Sequence, residues 1–137
     1  MPPTEQMYRE NILDHYKRPH NRGNLARPDS EGFDSNPVCG DEVRMQIQVK
    51  GGKISEIRFD STACAICTAS ASMITDEVKG APLQQARKLS KERVLALLGI
   101  DPGPARLKCA LLPLKVLKLA VYRQIGKNLP EKDRELV

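Results

Sequence analysis

The residues of this chain with the most reactive side chains are its four cysteines, namely Cys39, Cys64, Cys67 and Cys109. Thiolates bind zinc and iron, and they can also carry sulfur as persulfides. Asp41 follows the first cysteine by two positions and adds a carboxylate to the glycine-containing segment 36–41. Such a segment is also common as a plain turn, so its chemistry depends on what else the fold brings to it.

The cysteines are better interpreted as metal ligands or free thiols than as two disulfides, because we expect a cytoplasmic protein. The N-terminus has neither the basic start nor the apolar core of a signal peptide. The most apolar stretch, 110–121, is interrupted by Lys115 and Lys118, so we expect no membrane span. Cytosolic thiols stay reduced, which leaves all four available for chemistry.

Length and composition indicate an ordinary globular protein. At 137 residues the chain fits one domain, 1–137, which can bury a core without disulfides. Hydrophobic residues make up 40% and charged residues 28% of the chain. The net charge of +5 is spread over interleaved basic and acidic residues, and three Tyr, two Phe and no Trp offer little base stacking. We therefore expect acidic protein partners and no nucleic-acid binding.

A β-hairpin is the element that would position the chemistry. Apolar and polar residues alternate over 43–49 and again over 53–61, on either side of a Gly-Gly pair. Apolar residues must oppose apolar residues across such a pair of strands. A strict two-residue turn would place Met45 opposite Arg58. We therefore predict a three-residue turn, which pairs Met45 with Phe59.

The predicted register extends to the open end of the hairpin, where it places Gly40 opposite Cys64 and Cys39 opposite Ala65. Opposed residues in a sheet lie ~4.5–5.5 Å apart, and zinc binds each sulfur at ~2.3 Å. Two cysteines that are 25 positions apart thus become neighbours. The hairpin predicts that Cys39, Cys64 and Asp41 meet at one site.

Helices are expected on either side of the hairpin. They cover 7–16, 63–78, 82–89, 90–98 and a last stretch that ends near Ile125, whereas 20–36 should be irregular with a brief strand near Phe33. Ser61 or Thr62 would cap the second helix, whose N-terminus favours the thiolate of Cys64. Pro113 cannot donate to the carbonyl of Cys109, so Cys109 should lie at a helix start or a kink. We predict an α+β fold, with a small antiparallel sheet packed against several helices.

Each candidate also has a plainer interpretation. Cys109 by itself is more readily a buried small hydrophobe than a ligand, and its spacing does not bring it to the hairpin. Cys64 and Cys67 are spaced like a thioredoxin-type redox pair, but the parallel strand–helix–strand pattern of that fold is missing. His15 and His20 are ligands by type, although helix packing or surface exposure explains each of them.

Three motifs in order resemble the IscU/SufU/NifU-type scaffold family, and the match runs from Tyr8 to about Ile125. The motifs are Asn-Pro-Val-Cys-Gly-Asp at 36–41, Cys-Ala-Ile at 64–66 with Ala-Ser-Ala-Ser-Met at 69–73, and Lys108-Cys109, preceded by Ile-Leu-Asp-His-Tyr-Lys-Arg-Pro at 12–19. The resemblance implies an α+β fold that serves iron–sulfur cluster assembly. It also implies a cysteine desulfurase that delivers persulfide sulfur, and apo iron–sulfur acceptor proteins.

The same resemblance implies a ligand set for a transient [2Fe–2S] cluster or a zinc ion, consisting of Cys39, Asp41, Cys64 and Cys109. Asp41 would be the residue that makes the cluster labile, and Cys109 the candidate persulfide acceptor. Lys108 stands where IscU-type members have a histidine, and it is a candidate modulator of the neighbouring thiolate. Only 44 residues separate Cys64 from Cys109, so the insertion of SufU-type members is absent.

Two further departures concern partners and thiols. The segment 102–106, Pro-Gly-Pro-Ala-Arg, replaces the Leu-Pro-Pro-Val-Lys stretch with which IscU-type members engage an Hsp70-type chaperone, so the resemblance does not extend to that partner. Cys67 occupies a position that is usually Ser or Ala in these relatives.

The leading hypothesis is a scaffold rather than a turnover enzyme. The alternatives are a zinc-dependent sulfurtransferase that relays persulfide without building a cluster, and a Cys64–Cys67 thiol oxidoreductase.

Overall fold

The computed structural model describes residues 5–137. Residues 1–4, on which the expectation of no signal peptide partly rests, lie outside the described range. The described elements, in chain order, are α1 Glu5–Lys17, β1 Ser30–Asn36, β2 Asp41–Lys50, β3 Lys53–Thr62, α2 Ala65–Val78, α3 Leu83–Arg87, α4 Lys91–Leu98, α5 Leu107–Gln124 and α6 Glu131–Arg134. The strands form one antiparallel sheet in the order β1-β2-β3. The predicted α+β class is confirmed.

The β2–β3 hairpin has the predicted register but not the predicted turn. Met45 pairs with Phe59, as the apolar pattern requires. The prediction of a three-residue turn is wrong, because strands β2 and β3 are joined by the Gly-Gly pair at 51–52. Both glycines have positive φ, 59° and 74°, as the tight turn between two strands demands. The extra residue is Ser55, which forms a β-bulge within β3.

Strand β1 is longer than the brief strand expected near Phe33, and it pairs with β2 along its whole length. Its inner face carries small residues that lie directly against α5. The Ser30 hydroxyl donates to the carbonyl oxygen of Ala120 at 2.7 Å. A Cβ at Gly32 would lie 2.2 Å from the carbonyl oxygen of Val116. Strand β1 therefore packs on α5 through small residues, and its sequence lacks the apolar alternation from which a strand is predicted.

The core lies between the inner face of the sheet and helices α2 and α5. Its large fully buried side chains include Val43, Met45, Ile47, Ile57, Phe59, Ile74, Val78, Leu112, Leu114 and Leu117. Burying one such side chain contributes ~1.5–3 kcal/mol. A smaller cluster fixes α1 and α4 to the same two helices, through Ile12, Ala69, Met73, Leu98 and Ala110. Helices α2 and α5 are thus held on both sides.

The remaining helices agree with the sequence except at the C-terminal end. Ser90 caps α4 as predicted, since its Oγ accepts the N–H of Arg93 at 3.1 Å. Helix α6 was not predicted, and a buried ion pair between Lys118 and Asp133, 3.0 Å long, fastens it to α5. Among the described helices, none has both the length and the apolar character that crossing a membrane requires.

Candidate metal centre

The turn between β1 and β2 carries the first cysteine. Asn36 organises this turn: its Oδ1 accepts the N–H of Val38 at 3.1 Å, and its carbonyl accepts the N–H of Gly40 at 2.8 Å. Gly40 has a φ of 76°, a conformation that favours glycine. Asn36 also pairs with Asp41 at the base of the turn. Cys39 is therefore held, exposed, at the end of the sheet.

Helix α5 delivers the cysteine that spacing could not place. Cys109 lies two residues after the helix begins at Leu107, with Pro113 inside the helix, so the predicted position at a helix start is confirmed. The Sγ of Cys109 lies 3.5 Å from the Sγ of Cys39, 70 positions away in sequence. This contact depends on the packing of α5 against β1, the strand that the sequence pattern showed least clearly.

Asp41 completes a group of three side chains that could bind one metal ion. The ligand atoms of Cys39, Asp41 and Cys109 lie within 4.8 Å of one another. Asp41 is 4% exposed, and its Oδ1 accepts the backbone N–H of Cys64 at 3.1 Å. Its Oδ2 is buried without a hydrogen-bond partner in the described part of the chain. Burying such an oxygen lowers the stability of the fold unless a cation or a proton lies against it. The group therefore fits a metal ion bound by thiolates and a carboxylate.

Cys64 stands beside this group rather than in it. It is itself the N-cap of α2, because its Sγ accepts the N–H of Cys67 at 3.5 Å. The predicted caps, Ser61 and Thr62, are therefore wrong, and the Ser61 hydroxyl instead contacts Thr68 Oγ1 at 3.1 Å. Among the described residues, the sulfur of Cys64 is outside the ligand group that shares the 4.8 Å limit. For Cys64 to bind a metal ion together with this group, its sulfur would have to move closer to the other three ligand atoms.

The two buried cysteines have raised pKa values. Burial is the main cause of the raised pKa of the Cys109 thiol, and hydrogen bonding with Cys39 and Asp41 adds to it. Burial likewise raises the pKa of the Cys67 thiol, with the negative charge of Asp41 as the next cause. Without a metal, both thiols are protonated at neutral pH. A metal ion that bound Cys109 would therefore have to displace its proton.

These raised pKa values predict that the metal-free protein loses stability above pH ~8.5, the ordinary pKa of cysteine in an unfolded chain. The folded state keeps both protons where the unfolded chain loses them. The free energy of unfolding should then fall by up to about 1.4 kcal/mol per pH unit for each thiol. Urea unfolding between pH 8 and pH 9.5 measures the slope. The Cys67→Ala variant should show about half of it, and an unchanged slope would contradict the assignment.

Two other predicted residues do not join the group. Lys108 is exposed on α5, and in the described part of the chain no hydrogen bond or ion pair links it to a cysteine sulfur. Its role as a modulator stays a prediction. Cys67 is 0% exposed and packs in the main core, so a solvent-accessible Cys64–Cys67 dithiol is not present. This burial argues against the oxidoreductase alternative.

The fold and the site together define a class of protein: a small α+β protein that presents two thiols and a buried carboxylate at the end of a three-stranded sheet, with a third thiol adjacent. Comparison with protein families is consistent with this geometry. The family described as NifU-like N terminal domain matches residues 7–130. The chain belongs to this family.

The names of individual relatives include both a sulfurtransferase and scaffold proteins. The chain is 35% identical over 142 residues to "Zinc-dependent sulfurtransferase SufU" of Bacillus subtilis, covering 90% of this chain and 95% of that protein. It is 34% identical over 122 residues to "Iron-sulfur cluster assembly scaffold protein IscU 1" of Archaeoglobus fulgidus, covering 89% and 79%. The crystal structure of a NifU-like protein (N-terminal) from Brucella abortus matches with a TM-score of 0.69 and 25% identity, covering 89% and 96%.

Proposed function

We propose that the protein is an iron–sulfur cluster assembly scaffold, which receives sulfur and iron and passes the assembled cluster to apoproteins. The observation that carries the proposal is the 3.5 Å contact between Cys39 and Cys109 beside the unpartnered Oδ2 of Asp41. Iron–sulfur clusters are held mainly by thiolates. The cargo would be a [2Fe–2S] cluster on Cys39, Cys64, Cys109 and Asp41, and the single oxygen ligand would make it easier to release.

Sulfur would enter from the exposed side of the site. Cys39 is exposed and Cys109 is buried, so a cysteine desulfurase persulfide would reach Cys39 first. The Cys39 thiolate would attack the terminal sulfur of that persulfide, and the desulfurase cysteine would leave as a thiolate. Transfer to Cys109, the candidate acceptor, requires the Cys109 thiolate to attack the terminal sulfur of the Cys39 persulfide. The new S–S bond forms at Cys109, the old one breaks, and Cys39 leaves as a thiolate. The departing Cys39 sulfur takes up the proton that Cys109 loses, since the Cys109 thiol is directed at that sulfur at 3.5 Å.

The proposed partners are a cysteine desulfurase and apo iron–sulfur acceptor proteins in the cytoplasm, with no role for nucleic acid or a membrane. The net charge of +5 suits acidic protein partners. The segment 102–106, which replaces the Hsp70-binding stretch of IscU-type relatives, lies in the connection between α4 and α5. An Hsp70-type chaperone is therefore not part of the proposal.

The second candidate is a zinc-dependent sulfurtransferase, which the similarity to the SufU of Bacillus subtilis favours. The same four residues would hold the zinc, and the metal would keep their sulfurs deprotonated. In this case one thiol relays persulfide sulfur and no cluster is assembled.

Anaerobic incubation with ferrous iron, cysteine and a cysteine desulfurase should give a cluster absorption spectrum and transfer to an apo-ferredoxin. Cys39→Ser should abolish the transfer, whereas Cys67→Ser, which removes a thiol outside the ligand group, should retain it. Desulfurase stimulation that requires zinc, without a transferable cluster, would favour the sulfurtransferase instead. Loss of function in Cys67→Ser but not in Cys39→Ser would favour the thiol oxidoreductase.

A further inference from the structure

A second group of ligand side chains lies between α1 and α2, and it uses no cysteine. The ligand atoms of His15, His20 and Asp76 lie within 4.8 Å of one another. The two imidazole centroids are 4.5 Å apart, and Nδ1 of His20 lies 2.5 Å from Oδ2 of Asp76. These are the two histidines of the chain. Their shared contact with Asp76 could not be predicted from sequence, because Asp76 is more than 50 positions away from both histidines.

Neighbouring groups orient the side chains of His15 and Asp76 and the backbone of His20. The Oγ of Ser72, which is fully buried, lies 2.7 Å from Nδ1 of His15 and accepts the backbone N–H of His20 at 2.8 Å. Asn21 Nδ2 donates to Oδ1 of Asp76 at 2.9 Å. Metal-binding histidines and carboxylates are commonly fixed in this way by hydrogen bonds from groups that do not touch the metal. The candidate ligands of this cluster are therefore oriented by hydrogen bonds as well as close to one another.

The cluster is also accessible from one side. His15 is 9% exposed and anchors the group against the interior, whereas the side chains of His20 and Asp76 are 48% and 45% exposed. A cation could thus enter from solvent. An exposed His–Asp pair alone contributes little to stability. The pair also does not account for the second imidazole, that of the nearly buried His15, which lies beside it.

We propose that His15, His20 and Asp76 form a second site, which binds a divalent first-row transition metal through two imidazoles and one carboxylate. This ligand set suits zinc and non-haem ferrous iron, with the remaining positions open to water. Ser72 Oγ contacts Nδ1 of His15 at 2.7 Å, so coordination by His15 would use Nε2 or displace this contact. Metal–ligand bonds of ~2.0–2.2 Å require the three atoms to move closer together, which rotation of the exposed His20 and Asp76 side chains permits.

The second site is separate from the cysteine site. Asp76 lies twelve positions after Cys64 along α2, which corresponds to about 18 Å of helix. One ion cannot bridge such a distance, so each site should load by itself. The proposal therefore does not depend on the scaffold function, and either can fail alone.

Zinc titration of the full chain, followed by the imidazole ¹⁵N signals in NMR spectra, tests the proposal. The wild-type protein should bind two zinc ions, and one of them should shift the signals of both histidines. Cobalt provides a second measurement, because a thiolate site gives intense charge-transfer bands whereas an imidazole–carboxylate site gives only weak d–d bands. His20→Ala and Asp76→Asn should each weaken the second site at least tenfold and leave the thiolate bands unchanged.

Asp14→Asn is the matched control, because it removes the same charge from a carboxylate near both histidines that is paired with Arg18. It should retain the second zinc ion. Circular dichroism checks that each variant is folded. Histidine signals that do not move at zinc saturation would overturn the proposal, as would equal weakening by Asp14→Asn and Asp76→Asn. Absence of the cobalt–thiolate charge-transfer bands, with the histidine signals still shifted by zinc, would instead count against the proposed scaffold function.

Discussion

Replacing Gly32 by alanine is expected to lower the free energy of unfolding by about 1–3 kcal/mol, the usual cost of overpacking a core. The added Cβ would lie 2.2 Å from the carbonyl oxygen of Val116 and 2.9 Å from the backbone nitrogen of Ala120. Both are backbone atoms of α5, so no side-chain rotation relieves the clash. Strand and helix must separate, and the midpoint of urea unfolding should fall.

Phe33→Ala is the control for this prediction. Phe33 is the next residue along β1, on the opposite face, and it is 56% exposed. Its truncation removes more atoms than Gly32→Ala adds, yet it should change the midpoint much less. Gly32→Ala should also weaken metal binding. Strand β1 leads into the turn that contains Cys39, and α5 contains Cys109, so separating strand and helix separates the two sulfurs. An unchanged midpoint in Gly32→Ala would contradict the close packing of β1 on α5.

The hairpin register could be predicted although its turn could not. Pairing Met45 with Phe59 is enforced by the burial of one face of the sheet, and a shift of one residue would expose every apolar side chain. A three-residue turn and a two-residue turn with a bulge both supply the one extra residue that this register needs. The apolar pattern cannot distinguish them, and the structure places the extra residue at Ser55.

The position of Cys109 could not be predicted from spacing, because the strand that receives its helix carries no apolar alternation. Small residues such as Ser30 and Gly32 make the contact with α5, and they resemble loop residues in sequence. The family motifs named Cys109 without explaining its position. The packing of α5 on β1 supplies the explanation, since it brings two sulfurs to 3.5 Å across 70 positions.

Zinc affinity is expected to fall by more than about 100-fold on Cys109→Ala, because losing only a hydrogen-bond partner of a ligand typically costs ~10–100-fold. Cys67→Ala is the matched control and should change the affinity little. Both substitutions remove a buried thiol, 4% and 0% exposed respectively, from the same core. They differ in that Cys109 belongs to the ligand group with Cys39 and Asp41. Competition with a chromophoric chelator at fixed pH measures both affinities.

The pH dependence of the same titration separates a lost ligand from a damaged fold. Burial raises the pKa of the Cys109 thiol, so a zinc ion that binds this sulfur would have to displace its proton at neutral pH. Zinc affinity should therefore increase with pH, about tenfold per pH unit for each proton released. Cys109→Ala releases one proton fewer and should have the shallower slope, whereas a variant that is only destabilised keeps the wild-type slope. A wild-type slope in Cys109→Ala would mean that this sulfur is not a ligand.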